Sequence, residues 1–213
     1  MLRLEHNKKK KTPTKTAFIG ALIILVGAFF LLYDYIEAKK VYAYDYMSYY
    51  YDGYEIIKVV EEEDIKKPVE EKEESEEIPN EYIGYLTIPK INLTKGFYDK
   101  RSSENDVEKN ILVIQGSNYP DVERGNLIIA GHSGTGWKAF FNDLYQLQNG
   151  DEAIVTYKGK KYTYNIVNIY KQPKTGNIAV YRNYDKTTLT LITCTNYDST
   201  TQTVYIAELV NVE

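Results

Sequence analysis

The sequence predicts an all-β domain held behind one apolar helix, and three observations predict it. From Tyr82 onward the chain runs in short alternating segments broken by Gly, Asn and Asp, the pattern of a β-sandwich or barrel. Thr16 to Tyr33 carries no charge. Between the two lies Glu61 to Glu77, where ten acids face three lysines and leave a net charge of -7.

The uncharged run would be about 27 Å long as a helix, close to the hydrocarbon thickness of a bilayer. Arg3, Lys8, Lys9, Lys10, Lys11 and Lys15 precede it, and a basic flank predicts a cytoplasmic N-terminus with the rest of the chain outside. A cleaved leader with Val41-Tyr42-Ala43 as processing site is the competing reading. Against it, the run exceeds a usual leader core, and Asp34, Glu37, Lys39 and Lys40 intervene before the small residue. The expected organisation is a basic cytoplasmic tail over 1–15, a transmembrane helix over 16–33, an extracellular linker over 34–79 and a folded domain over 80–213. Within the linker, the tyrosines of Tyr42 to Tyr54 suit either the outer membrane interface or a partner site. The acidic part reads as an extended or partly helical stalk, because like charges at that density resist compaction.

In the domain, strands are expected near 82–88, 93–98, 127–130, 152–157, 162–170, 178–181, 187–194 and 203–210. Lys158-Gly159-Lys160-Lys161 reads as a hairpin connection. Two short helices are expected, one opening at Ser102 or Ser103 with Asp106 in its first turn, the other from Lys138 to Leu147. Period-2 alternation in Thr188 to Cys194 puts Leu189, Leu191 and Thr193 on one face and Thr190, Ile192 and Cys194 on the other. Cys194 thus stands where a strand ends and a side chain becomes accessible.

Composition narrows the chemistry. A formal charge of -4, with basic residues clustered at the N-terminus or interleaved with acids, gives no footprint for nucleic acid. One cysteine, Cys194, excludes a disulfide within the chain, and with only His6 and His132 beside it a Cys/His zinc site is poorly supplied. A lone cysteine is usually a small buried hydrophobe, and a lone histidine usually structural. Local context argues otherwise here. His132 follows the apolar run Asn126 to Gly131 and is flanked by Gly131, Ser133, Gly134 and Gly136, a loop in which backbone can approach a ligand closely.

Those residues resemble a known family. Thr190-Leu191-Ile192-Thr193-Cys194 is similar to the T-L-x-T-C signature of sortases, and Gly125 to His132 followed by Phe141-Asn142-Asp143-Leu144 resembles their histidine-bearing segment. Gly84 to Ile91 resembles their first strand, and Leu147-Gln148-Asn149-Gly150-Asp151 the turn after their second helix. The resemblance implies an eight-stranded closed β-barrel outside the cell and no cofactor. It also implies cleavage of an LPxTG-type sorting signal on surface proteins. Cys194 would attack the threonyl carbonyl, His132 would protonate the departing amine, and an amine of the cell wall precursor or of another protein would resolve the acyl enzyme.

Sortases also carry an arginine on the strand after the cysteine, and none follows Cys194 here. Thr203, or Gln202 beside it, falls at the corresponding place, and Arg182 in the preceding connection is the charged alternative for holding substrate or oxyanion. The missing arginine also admits an inactive or weakly active peptide-binding relative, and resolution by water would make a cysteine hydrolase. Glu104, Asp106, Glu108, Asp121 and Glu123 match no calcium loop and read as a solvated surface; no metal is expected.

Overall fold

The computed structural model describes residues 15–62, 81–134 and 136–213. The acidic stretch expected as a stalk lies for the most part outside the described residues.

Helix α1 runs from Lys15 to Glu62 without a break, well past the predicted end at Tyr33. Its segment Ala17–Ala43 is long and apolar enough to cross a membrane, and among the described side chains of that segment none is buried against the rest of the chain. Beyond that segment the helix touches the domain. Asp45 reaches Lys95 at 2.8 Å, with both side chains almost fully buried. The Lys95 ammonium also lies 4.3 Å from the centre of the Phe140 ring.

Eight strands form one sheet in the order β2-β1-β5-β6-β8-β7-β4-β3. They are β1 (Gly84–Ile88), β2 (Leu93–Phe97), β3 (Leu112–Val113), β4 (Asn126–Ala130), β5 (Glu152–Tyr157), β6 (Lys160–Pro173), β7 (Thr188–Cys194) and β8 (Thr201–Val212). All neighbours are antiparallel except β4 and β7, which run parallel. The sheet curls into the expected barrel, nearly closed. Its edge strands β2 and β3 are not laddered together; instead the Asn110 amide just before β3 donates to the Gly96 carbonyl of β2 at 2.8 Å. This side-chain bridge occupies an edge that would otherwise be open for pairing. Register shifts in β6 near Thr163 and Ile166 let that long strand bend around the barrel.

The interior is filled by Leu86, Ile88, Phe97, Ile129, Phe141, Val155, Tyr164, Leu189, Leu191 and their neighbours. A second, smaller apolar cluster lies on the other face of the same strands, where Ile192, Val204 and Ile206 pack with Ile128, Ala130, Tyr170 and Val180. Its members Ile192, Val204 and Ile206 are themselves almost fully buried.

Several elements depart from expectation. The β5–β6 hairpin turns on Lys158 and Gly159 alone, both with positive φ, as a tight two-residue loop requires. The segment 178–181 is not a strand. β6 side chains satisfy its backbone, since Ala179 N–H donates to Gln172 Oε1 at 3.0 Å and Tyr181 N–H to the Tyr170 hydroxyl at 3.0 Å. The helix expected at Ser102 is replaced by turns, because short polar side chains compete for the backbone. Ser102 Oγ accepts from Glu104 N–H, and Asn105 both accepts from Val113 N–H and donates to Val113 O. Of the second helix, only a 3-10 turn at Asn142–Gln146 forms. The two-residue β3 went unpredicted because it is too short to display a period.

Candidate active site

The parallel pairing of β4 and β7 brings the two sequence-predicted residues to one place. Ala130 pairs with Ile192, and the ladder continues through Gly131 N–H to the Ile192 carbonyl at 3.1 Å. Two residues further on each chain stand His132 and Cys194, level with one another. Thr193 Oγ1 donates to the Gly131 carbonyl at 2.8 Å, and Ser133 Oγ to the Cys194 carbonyl at 2.6 Å, so the two strand ends are cross-braced. Gly131 has no room for a side chain, because a Cβ there would come within 2.9 Å of the buried Phe141 ring. Phe141 N–H in turn donates to the His132 carbonyl at 2.9 Å, which fixes the backbone that carries the imidazole.

Directly opposed residues in a ladder share a face. Cys194 opposes Gln202, and Gln202 opposes Gln172, so these three form a row on the outer face. Thr203 opposes Thr193 and belongs to the other face, where its hydroxyl meets that of Thr195 at 2.9 Å. Of the two candidates on β8, Gln202 is therefore the neighbour of the cysteine. Arg182 is elsewhere. Its Nη1 donates to the carbonyls of Arg124 at 3.1 Å and Lys186 at 3.3 Å and its guanidinium stacks on Tyr184, at the start of β7 and about 20 Å of extended chain from Cys194.

Two charged groups at the site went unpredicted. Lys174, one residue beyond β6, places its ammonium 3.4 Å from the Cys194 sulfur. Glu108 places a carboxylate oxygen 3.0 Å from His132 Nε2. Glu108 was legible as a carboxylate but not as a neighbour of His132, 24 positions along the chain. No sequence signal marks Lys174, since its place follows from Pro173 pairing with Thr201 across β6 and β8.

Cys194 is partly exposed in the wall of an open cleft of about 990 Å³, with Ser133, Asn142, Asp143, Lys174 and Asp198 among its lining residues. Asp198 shapes the β7–β8 loop. Hydrogen bonds from the Thr200 and Thr201 hydroxyls and the Thr200 N–H lower its carboxyl to about 2, so it stays charged at the rim. Asn196 donates to the Asn142 carbonyl at 3.0 Å and ties this loop to the 3-10 turn.

A sortase-domain family model matches residues 86–210, more than half of the chain. The chain belongs to the sortase family. Among solved structures, a Clostridium perfringens Sortase D5 transpeptidase is 26% identical, with a TM-score of 0.55 over 81% of this chain and 98% of that one. Sortase C1 from Streptococcus agalactiae is 28% identical, with a TM-score of 0.53 over 61% and 68% of the two chains. A lid mutant of Corynebacterium diphtheriae Sortase A, at 19% identity and a TM-score of 0.57 over 76% and 94%, shares the fold. No curated protein sequence matches. In this sortase the strand after the cysteine has no arginine, and the cation nearest the sulfur comes from the opposite side of the row, after β6.

Proposed function

We propose that this sortase is a membrane-anchored cysteine transpeptidase that cleaves an LPxTG-type sorting signal and transfers the acyl group to an amine. The observation that carries the reading is the meeting of Cys194 and His132 at the ends of adjacent parallel strands, beside an open cleft. In the first half-reaction the Cys194 sulfur bonds to the threonyl carbonyl carbon, the C–N bond to glycine breaks, and His132 gives its proton to the departing amine. In the second, the acceptor nitrogen bonds to that carbon, the C–S bond breaks, and His132 takes the proton back. Intact-mass spectrometry of the full chain with a sorting-signal peptide, with and without a small amine, tests this. The expected result is a thioester adduct on Cys194 that the amine releases; a chain that never gains mass would refute the reading.

The anchor reading rests on the basic tail and on Ala17–Ala43. An external protease added to intact cells is expected to release the domain while the N-terminus stays protected. Full recovery of untreated protein in the cytoplasmic soluble fraction would contradict it.

Placement on opposite faces separates the candidates for holding the oxyanion. Gln202→Arg sets a guanidinium on the face of Cys194 and is expected to sustain or raise turnover. Thr203→Arg buries a charge and is expected to cost about 3–5 kcal/mol of stability. Arg182→Ala should leave turnover within about twofold and lower the melting temperature slightly, because it removes hydrogen bonds to carbonyls and to the Thr188 hydroxyl and the stacking on Tyr184, all at the far end of β7 from the sulfur. Peptide turnover and thermal melts of the three variants check this; a collapse of turnover in Arg182→Ala would contradict the placement.

A further inference from the structure

The geometry points to a four-membered charge array, Glu108–His132–Cys194–Lys174, in which Lys174 is a catalytic residue and Glu108 a positioning residue. The inference rests on Cys194 and His132 as the reacting pair and adds what flanks them. The Lys174 ammonium donates to the Cys194 sulfur at 3.4 Å, and the Glu108 carboxylate meets His132 Nε2 at 3.0 Å. Each member of the pair therefore has beside it the charge opposite to the one it carries as thiolate or imidazolium. A sulfur beside a cation is more nucleophilic at neutral pH because the thiolate is the attacking species.

The alternatives for this task are occupied. Thr195 N–H, next to the nucleophile, donates to the Thr201 carbonyl at 3.1 Å and is not free to meet an oxyanion. Arg182 is bound to carbonyls at the far end of β7. Gln202, which opposes Cys194, is uncharged. The carboxylates in the cleft wall have partners of their own: Asp143 accepts from Gln146 at 3.1 Å, and Asp198 from Thr200 and Thr201. Lys174 is left as the cation in contact with the sulfur. When the sulfur adds to the carbonyl, the Lys174 ammonium, with three N–H donors, is the group that meets the oxygen as it gathers charge in the tetrahedral intermediate, before collapse to the thioester. A cation presented from the β6 side thus takes the place of one presented from β8.

Cys194 is the single cysteine, so alkylation by iodoacetamide, followed by intact mass across pH 5.5–9, reads its thiolate without any substrate. In the folded full chain, Lys174→Ala and Lys174→Gln are expected to move this profile to higher pH and to slow alkylation about tenfold at pH 6.5. Lys174→Arg should track the wild type. Glu108→Gln should give a smaller shift in the same direction, with kcat reduced and KM little changed. Loss of a preorganised donor should cut peptide turnover of Lys174→Ala about 100-fold. Alkylation profiles of the Lys174 variants that superimpose on the wild type would overturn the array, and a silent Glu108→Gln would remove its histidine half. If Cys194→Ala still transfers peptide, the underlying function is wrong; if it is dead while the flanking variants behave as wild type, only the array falls.

Discussion

Replacing Cys194 with alanine is expected to abolish acyl-enzyme formation, and replacing His132 with alanine to lower it by several orders of magnitude. The first change removes the atom that forms the covalent bond, so no thioester adduct can appear by mass. The second removes the proton carrier for both half-reactions. General acid–base catalysis contributes about 10²–10⁴-fold, and its loss here affects departure of one amine and entry of the next. Both changes should leave the fold intact: Cys194 is partly exposed, and the strand ends are braced by Thr193, Ser133 and backbone rather than by the two reactive side chains. Melting temperatures near the wild type, together with lost turnover, would separate catalysis from stability. The effects should not add, because residues acting as one unit lose nearly everything with the first removal. Wild-type turnover in Cys194→Ala would end the mechanism.

The second large effect is expected far from the cleft, where α1 meets β2. Burial pushes the Asp45 carboxyl up against the pull of Lys95, and burial pushes the Lys95 ammonium down against the pull of Asp45. In both, exclusion of water outweighs mutual attraction, which marks a pair that specifies a docking more than it stabilises one. Asp45→Ala leaves the ammonium beneath the Phe140 ring without a counter-charge and should cost about 3–5 kcal/mol, or undock the helix. The double change Asp45→Leu with Lys95→Met should recover most of the loss, because an apolar pair of similar volume needs no compensation. Thermal melts of the full chain in micelles, with hydrogen exchange at the β2 amides, check both. A single variant indistinguishable from wild type would show that the contact carries no weight.

This docking holds the barrel against α1 two residues past the apolar segment Ala17–Ala43 rather than at the end of a long tether. The reading of 34–79 as a linker had no access to this contact. Tyr42 to Tyr54 is too rich in aromatic residues to predict a helix by propensity, and Asp45 lies 50 positions from Lys95. What joins them is the position of β2 at the barrel edge, a consequence of sheet order.

By itself the sequence determined what local chemistry can determine. Short alternating or apolar runs bounded by turn residues marked seven of the eight strands, because side-chain direction repeats every two residues and turn chemistry ends each run. The uncharged run marked the apolar helix, and Cys194 at a strand end with His132 in a glycine-rich loop marked the pair proposed to react. Tertiary structure decided whatever depends on which strands are neighbours. The β4–β7 register made Cys194 and His132 level, the β7–β8 register put Gln202 rather than Thr203 beside the sulfur, and the end of β6 delivered Lys174. The physical reason is range. Side-chain alternation and turn chemistry act over a few residues and leave a trace in order along the chain. Lys174 lies 20 positions from Cys194 and Glu108 lies 24 from His132, and only closing the barrel brings these groups within hydrogen-bonding distance.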